Sequence, residues 1–71
     1  MIPITALPDG SSAVIAAIAS PAERAGRLAA FGLVPGTTVR VLQQRPALVI
    51  ACDGTELALE PRIGAEIHVA P

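Results

Sequence analysis

The dipeptide Asp53-Gly54 constrains the fold more than any other feature, because it stands between two apolar runs. Both residues tolerate the positive φ angles of a two-residue hairpin turn, so antiparallel strands are predicted at 47–52 and 55–60. A turn of this length fixes the register of the strands. It places three pairs of residues on one face, which we assign to the core: Cys52 with Thr55, Ile50 with Leu57, and Leu48 with Leu59.

Three further strands are predicted where short runs rich in β-branched residues are bounded by turn residues, at 12–18, 37–43 and 65–69. Pro35-Gly36 has the arrangement of a type II turn, with proline at the second position and glycine at the third. Five short strands in a chain of 71 residues close most economically into a barrel, because closure removes exposed strand edges. We therefore predict one mostly β domain over 1–71.

One short α-helix is predicted after the first of these strands. Ser20-Pro21-Ala22-Glu23 has a capping-box pattern, in which the Ser20 hydroxyl accepts from the Glu23 N–H and the Glu23 carboxylate accepts from the Ser20 N–H. Gly32 is predicted to end the helix as a left-handed cap. Four apolar residues near helical spacing are predicted to form the face that packs on the barrel: Ala25, Leu28, Ala29 and Phe31.

Composition argues against several classes of function. The chain has no lysine, five scattered arginines and a formal net charge of −1, so it has no basic stripe for nucleic acid. Phe31 is the only aromatic residue, which leaves the core to Ala, Val, Ile and Leu. The single cysteine fits a reducing compartment, and no signal peptide or membrane-spanning run is visible. We expect a cytoplasmic protein with no nucleic-acid partner and no membrane insertion.

Candidate chemical residues are few. His68 is the only histidine, and with Glu66 on the same predicted strand face it forms at best a weak Fe²⁺ or Zn²⁺ site; the alternative is a surface histidine. Cys52 is predicted to point into the core as an inert thiol. No Ser/His/Asp or Cys/His arrangement is present, so we predict no enzyme activity, no cofactor and no metal site within one chain.

Four motifs together resemble the FeoA (ferrous iron transport protein A) family. They occur in order along nearly the whole chain: LPDGSSAVIAAI at 7–18, RLAAFGLVPGTTVRV at 27–41, GTELAL at 54–59 and AEIHV at 65–69. Phe31 stands where the family usually has leucine. The resemblance implies an SH3-like barrel, here five-stranded with one short helix. It also implies a cytoplasmic accessory role beside a membrane ferrous-iron transporter of the FeoB type.

Two functional hypotheses follow from these observations. In the first, the domain is an adaptor that binds the cytoplasmic part of the transporter through a groove between helix and barrel. In the second, it binds or senses a transition metal and forms a homodimer through an ion held by His68 and Glu66. The candidate partner-binding residues are Leu28, Phe31, Leu33, Val34 and Pro35, with Arg24 and Arg27 at the rim to pair with partner carboxylates. The alternative for Leu28, Phe31, Leu33 and Val34 is plain core.

Overall fold

Short antiparallel strands dominate the structure, a computed structural model that describes all residues from Met1 to Pro71. In chain order the elements are β1 (Ile2–Pro3), a 3₁₀ turn (Ile4–Ala6), β2 (Ser12–Ile18), α1 (Ala22–Ala30), β3 (Thr38–Gln43), β4 (Leu48–Cys52), β5 (Thr55–Leu59), α2 (Pro61–Gly64) and β6 (Ile67–Ala70). The mostly β class is therefore confirmed, with α1 as the one helix of more than a single turn.

All six strands belong to one antiparallel sheet, in the order β1-β6-β2-β3-β4-β5. The edge strands β1 and β5 are not paired with each other, so the sheet does not close, and the predicted count of five strands was wrong by one. The additional strand, β1, pairs Ile2 with Val69 and Pro3 with His68. Proline is tolerated there because β1 is an edge strand, where a missing N–H need not break the sheet.

The β4–β5 hairpin has the predicted register at every position. Asp53 and Gly54 both have positive φ, 49° and 78°, as a two-residue hairpin turn requires. The β4 members of the predicted core pairs, Leu48, Ile50 and Cys52, are buried. On β5, Leu57 and Leu59 are only half-buried and Thr55 is exposed, so the assignment of Thr55 to the core was wrong. The hairpin thus contributes one strand whose core-facing residues are buried and one strand at the margin of the core.

The core consists of aliphatic side chains and one thiol, as the composition indicated. Its thirteen members are Ile4, Leu7, Ala13, Ile15, Leu28, Leu33, Val39, Val41, Leu48, Ile50, Cys52, Ile67 and Val69. No polar or charged residue is buried. Phe31, the one aromatic residue, lies outside the core with 54% of its surface exposed.

Helix α1 begins differently from the prediction. Pro21 is the N-cap residue and no side chain caps the helix, so the predicted capping box was wrong. The Ser20 hydroxyl instead donates to Glu66 Oε1 at 2.7 Å. An ionised carboxylate forms a stronger hydrogen bond than a neutral acceptor does. The Ser20 side chain therefore bonds to a residue far away in the sequence and does not cap its own helix.

The end of α1 agrees with the prediction. Gly32 has φ +87°, its N–H donates to the Ala29 carbonyl at 2.9 Å, and the Leu33 N–H donates to the Leu28 carbonyl at 3.0 Å. These two bonds define a Schellman motif, in which a hydrophobic residue after the glycine packs back on the helix. Leu33 is that residue, and it is fully buried.

The packed face of α1 is narrower than predicted. Leu28 is buried and Ala25 is half-buried, whereas Ala29 and Phe31 are exposed. The helix is too short to bury a wide stripe: it rests on the sheet through Leu28 and through Leu33 just beyond its end. Phe31 is consequently left at the surface.

Two helical glycines provide a matched test of this packing. A Cβ at Gly64 would overlap the fully buried Leu48 side chain and lie 3.3 Å from Thr5 Cγ2, whereas a Cβ at Gly26 meets nothing within 4 Å. We expect Gly64→Ala to lower the free energy of unfolding by about 1–3 kcal/mol through overpacking. Gly26→Ala is expected to raise it by about 0.5–1 kcal/mol through helix propensity. Urea unfolding followed by circular dichroism measures both, and equal stability of the two variants would contradict the packing described.

Candidate partner-binding groove

An apolar groove of about 270 Å³ lies between α1, β5 and α2. Its walls are mostly hydrophobic side chains from three separate elements. The lining residues are Arg24, Arg27, Leu28, Phe31, Leu57, Ala58, Leu59 and Ile63. The groove exists because β5 is an edge strand, so its core-facing leucines are covered on one side only.

Four of the seven predicted partner-binding residues line this groove: Arg24, Arg27, Leu28 and Phe31. The other three, Leu33, Val34 and Pro35, do not, so the predicted lining by Leu33 and Val34 was wrong. Leu33 is fully buried by the Schellman contact, and Val34 and Pro35 lie in the exposed turn that follows.

Sequence reasoning missed the opposite wall, formed by Leu57, Ala58, Leu59 and Ile63. The alternation in β5 correctly placed Leu57 and Leu59 on the core face. These leucines remain partly exposed because β5 lies at the edge of the sheet. The pattern of residues within one strand does not reveal the order of the strands, so this exposure could not be predicted.

The two arginines at the rim differ in how firmly they are held. Arg24 donates through one guanidinium nitrogen to Glu66 Oε1 at 2.8 Å, and both side chains are mostly shielded, with 24% and 30% exposed. Arg27 contacts Glu23 at 3.1 Å with 63% and 90% exposed. Exposed pairs one helical turn apart contribute little to stability, so Arg27 is free to exchange its partner and Arg24 is not.

Glu66 is the acceptor at the centre of a small polar cluster with Ser20 and Arg24. The hydrogen bond from Ser20 and the hydrogen bonds and charge of Arg24 hold the pKa of Glu66 below its ordinary value, although partial burial opposes them. The cluster links the start of α1 to the residue before β6. Glu66 precedes that strand, whereas the sequence pattern had placed it within it.

The candidate metal ligands are Cys52, Glu66 and His68. No group of three His, Cys, Asp or Glu side chains is placed to hold an ion. Cys52 is buried with its sulfur 3.7 Å from the Gly32 carbonyl oxygen, and burial, aided by the charge of Asp53, raises the pKa of its thiol. Glu66 is engaged by Ser20 and Arg24, and His68 is half-buried on β6. A site formed by Glu66 and His68 would have to compete with the bonds that Ser20 and Arg24 make to Glu66.

A second, larger cavity of about 690 Å³ lies between the 3₁₀ turn and the β3–β4 loop. Gln44 spans one side of it, and its Nε2 donates to the carbonyl oxygens of Ile4 and Leu7 at 2.9 and 2.8 Å. The Gln44 N–H donates to Asp9 Oδ1 at 2.9 Å. These bonds fasten the loop to the start of the chain, so the polar groups here have a structural role.

Solved structures of closely similar shape define the class as a small SH3-like domain. Stenotrophomonas maltophilia FeoA, a prokaryotic SH3 domain protein solved with zinc, is 26% identical with TM-score 0.86, covering 99% of this chain and 91% of that one. Chlorobium tepidum FeoA is 25% identical with TM-score 0.89, covering 96% and 68%. IdeR of T. acidophilum is 26% identical with TM-score 0.86, covering 96% of this chain but 32% of its own.

The chain belongs to the FeoA family, because the FeoA domain matches residues 2–71. This confirms the resemblance seen in the sequence and the SH3-like class, and it links the protein to ferrous iron transport. No curated protein sequence matches the chain. None of its helices has the length and hydropathy needed to cross a membrane.

The cluster around Glu66 makes a prediction about pH. Because the folded pKa of Glu66 lies below the unfolded value of about 4.3, its stabilising contribution is fully present above that pH and is lost as pH falls through the folded pKa. We expect Ser20→Ala to raise the pKa of Glu66 toward its ordinary value, since it removes the largest cause of the shift. A carboxyl ¹³C NMR titration measures this, with Ser12→Ala, an exposed serine on β2, as the control. An unchanged Glu66 titration in Ser20→Ala would show that the hydrogen bond does not form.

Proposed function

We propose that this domain is an accessory component of a ferrous-iron uptake system that binds the cytoplasmic part of a FeoB-type membrane transporter through the groove between α1, β5 and α2. The observation that carries the proposal is the groove itself, an apolar surface on a domain of a family linked to ferrous iron transport. In this proposal the domain carries out no catalysis and acts through the contact alone.

Phe31 is the expected centre of that contact. It is the only aromatic residue of the chain, it is more than half exposed, and it lies beside the half-buried Leu57 and Leu59. Large aromatic side chains in apolar surroundings dominate the energy of many interfaces.

The proposal predicts a difference between two exposed apolar residues. Phe31→Ala is expected to weaken binding to the full-length cognate transporter in nanodiscs about tenfold or more, because it removes a groove wall. Leu42→Ala is the matched control, since Leu42 is 37% exposed but lies on β3, away from the groove. Biolayer interferometry gives both dissociation constants. Equal affinities of the two variants would place the contact elsewhere, and no binding by the wild type would refute the adaptor function.

A second candidate function is supported by one relative, the Stenotrophomonas maltophilia FeoA protein solved with zinc. Since no three candidate ligands come together within this chain, an ion shared between two copies would gain further ligands, with His68 as one of them. Glu66 would then have to release Ser20 and Arg24.

The two functions respond differently to one substitution. If the domain is an adaptor, His68→Ala binds the transporter with wild-type affinity, because His68 is not in the groove. If it is a metal-linked dimer, zinc doubles the mass of the wild type in light scattering and leaves His68→Ala monomeric. Zinc-dependent dimerisation lost in His68→Ala would favour the second function.

A further inference from the structure

Strand β5 has an unpaired edge. It hydrogen-bonds to β4 on one side, and none of the main-chain or side-chain hydrogen bonds outside the regular elements involves residues 55–59. Since β5 is the last strand of the sheet, its other side has no protein partner.

The hairpin register identifies the free groups. In a two-residue hairpin the residues flanking the turn exchange hydrogen bonds, and every second pair along the strands does the same. Thr55, Leu57 and Leu59 therefore bond to β4. The main-chain N–H and C=O groups of Glu56 and Ala58 point away from the sheet.

The other edge of the sheet is protected and this one is not. Strand β1 is only two residues long and contains Pro3, which has no N–H to donate, and short proline-containing edges resist further pairing. Strand β5 has five residues, no proline, and Glu56 as its only charged residue. It is the edge of this fold that can accept another strand.

The groove runs beside this edge. Leu57, Ala58 and Leu59 form one wall, and Leu28 on α1 and Phe31 at its C-terminal end contribute to the other. A strand that pairs with Glu56 and Ala58 would direct alternate side chains toward this apolar space, since successive side chains point to opposite faces. Main-chain bonds and side-chain pockets act together in this way in β-strand addition.

The charges at the rim of the groove predict a carboxylate on the occupant. Arg24 and Arg27 are the only charged residues in the lining, so the groove presents cations and no carboxylate of its own. Arg24 is already paired with the shielded Glu66. Arg27 has only its exposed pair with Glu23, and it can bind a carboxylate of the occupant instead.

From these observations we infer that β5 is extended by an added strand: an extended segment of the partner protein, with apolar side chains at alternate positions and a carboxylate that meets Arg27. This inference rests on the proposed adaptor function and specifies how the partner binds. In this binding mode, the alternating apolar side chains of the partner segment determine specificity. Main-chain hydrogen bonds to Glu56 and Ala58 contribute part of the affinity.

The test compares two substitutions at one position. Ala58→Pro removes the outward N–H without removing a bond to β4, which an edge strand tolerates, whereas Ala58→Ser keeps the N–H. With the full-length cognate transporter in nanodiscs as the probe, we expect Ala58→Pro to raise the dissociation constant about tenfold. Ala58→Ser is expected to raise it clearly less, because it changes one groove-lining side chain but keeps the main-chain donor. Hydrogen exchange on the wild-type complex is expected to show new protection at the amides of Glu56 and Ala58, and it does not depend on whether Ala58→Pro folds.

Each result is decisive. If the wild type binds and Phe31→Ala weakens binding while Glu56 and Ala58 gain no protection, strand addition is wrong and the adaptor function stands. If the wild type does not bind, both are wrong. If the two amides are protected in the isolated chain together with a dimeric mass, β5 pairs with a second copy, which overturns the inference of a partner segment.

Discussion

Burial of aliphatic side chains on one face of a single antiparallel sheet is the constraint on which the rest of this structure depends. With one aromatic residue and one cysteine, the chain must obtain its stability from close packing of Val, Ile, Leu and Ala. Alternation along β3 and β4 provides part of that face, on which Leu48 and Ile50 are fully buried. Tight packing of small residues also explains why Gly64 approaches Leu48 so closely.

Features set by neighbouring residues were predictable from the sequence. The hairpin at Asp53-Gly54, its register, and the helix end at Gly32 all follow from φ preferences that act over two to four residues. Features set by distant residues were not. Ser20 donates to Glu66, 46 residues away, rather than capping its own helix, and the strand at Ile2–Pro3 forms only because β6 offers an edge.

The candidate groove likewise has one wall that could be predicted from the sequence and one that could not. The α1 wall was predicted from helical spacing, whereas the β5 and α2 wall comes from a segment more than 25 residues further along the chain. The exposure of Leu57 and Leu59 follows from strand order, which depends on how the sheet ends. Family membership and groove geometry therefore support the proposed adaptor function independently, since one derives from sequence motifs and the other from topology.

The exposed position of Phe31 has a spectroscopic consequence. The chain contains no tryptophan and no tyrosine, so its aromatic proton spectrum consists of one phenylalanine ring and one imidazole. The phenylalanine ring lies in the groove wall. Any molecule that enters the groove would change the resonances of that ring, and the protein thus carries an intrinsic reporter of its own occupancy without an added label.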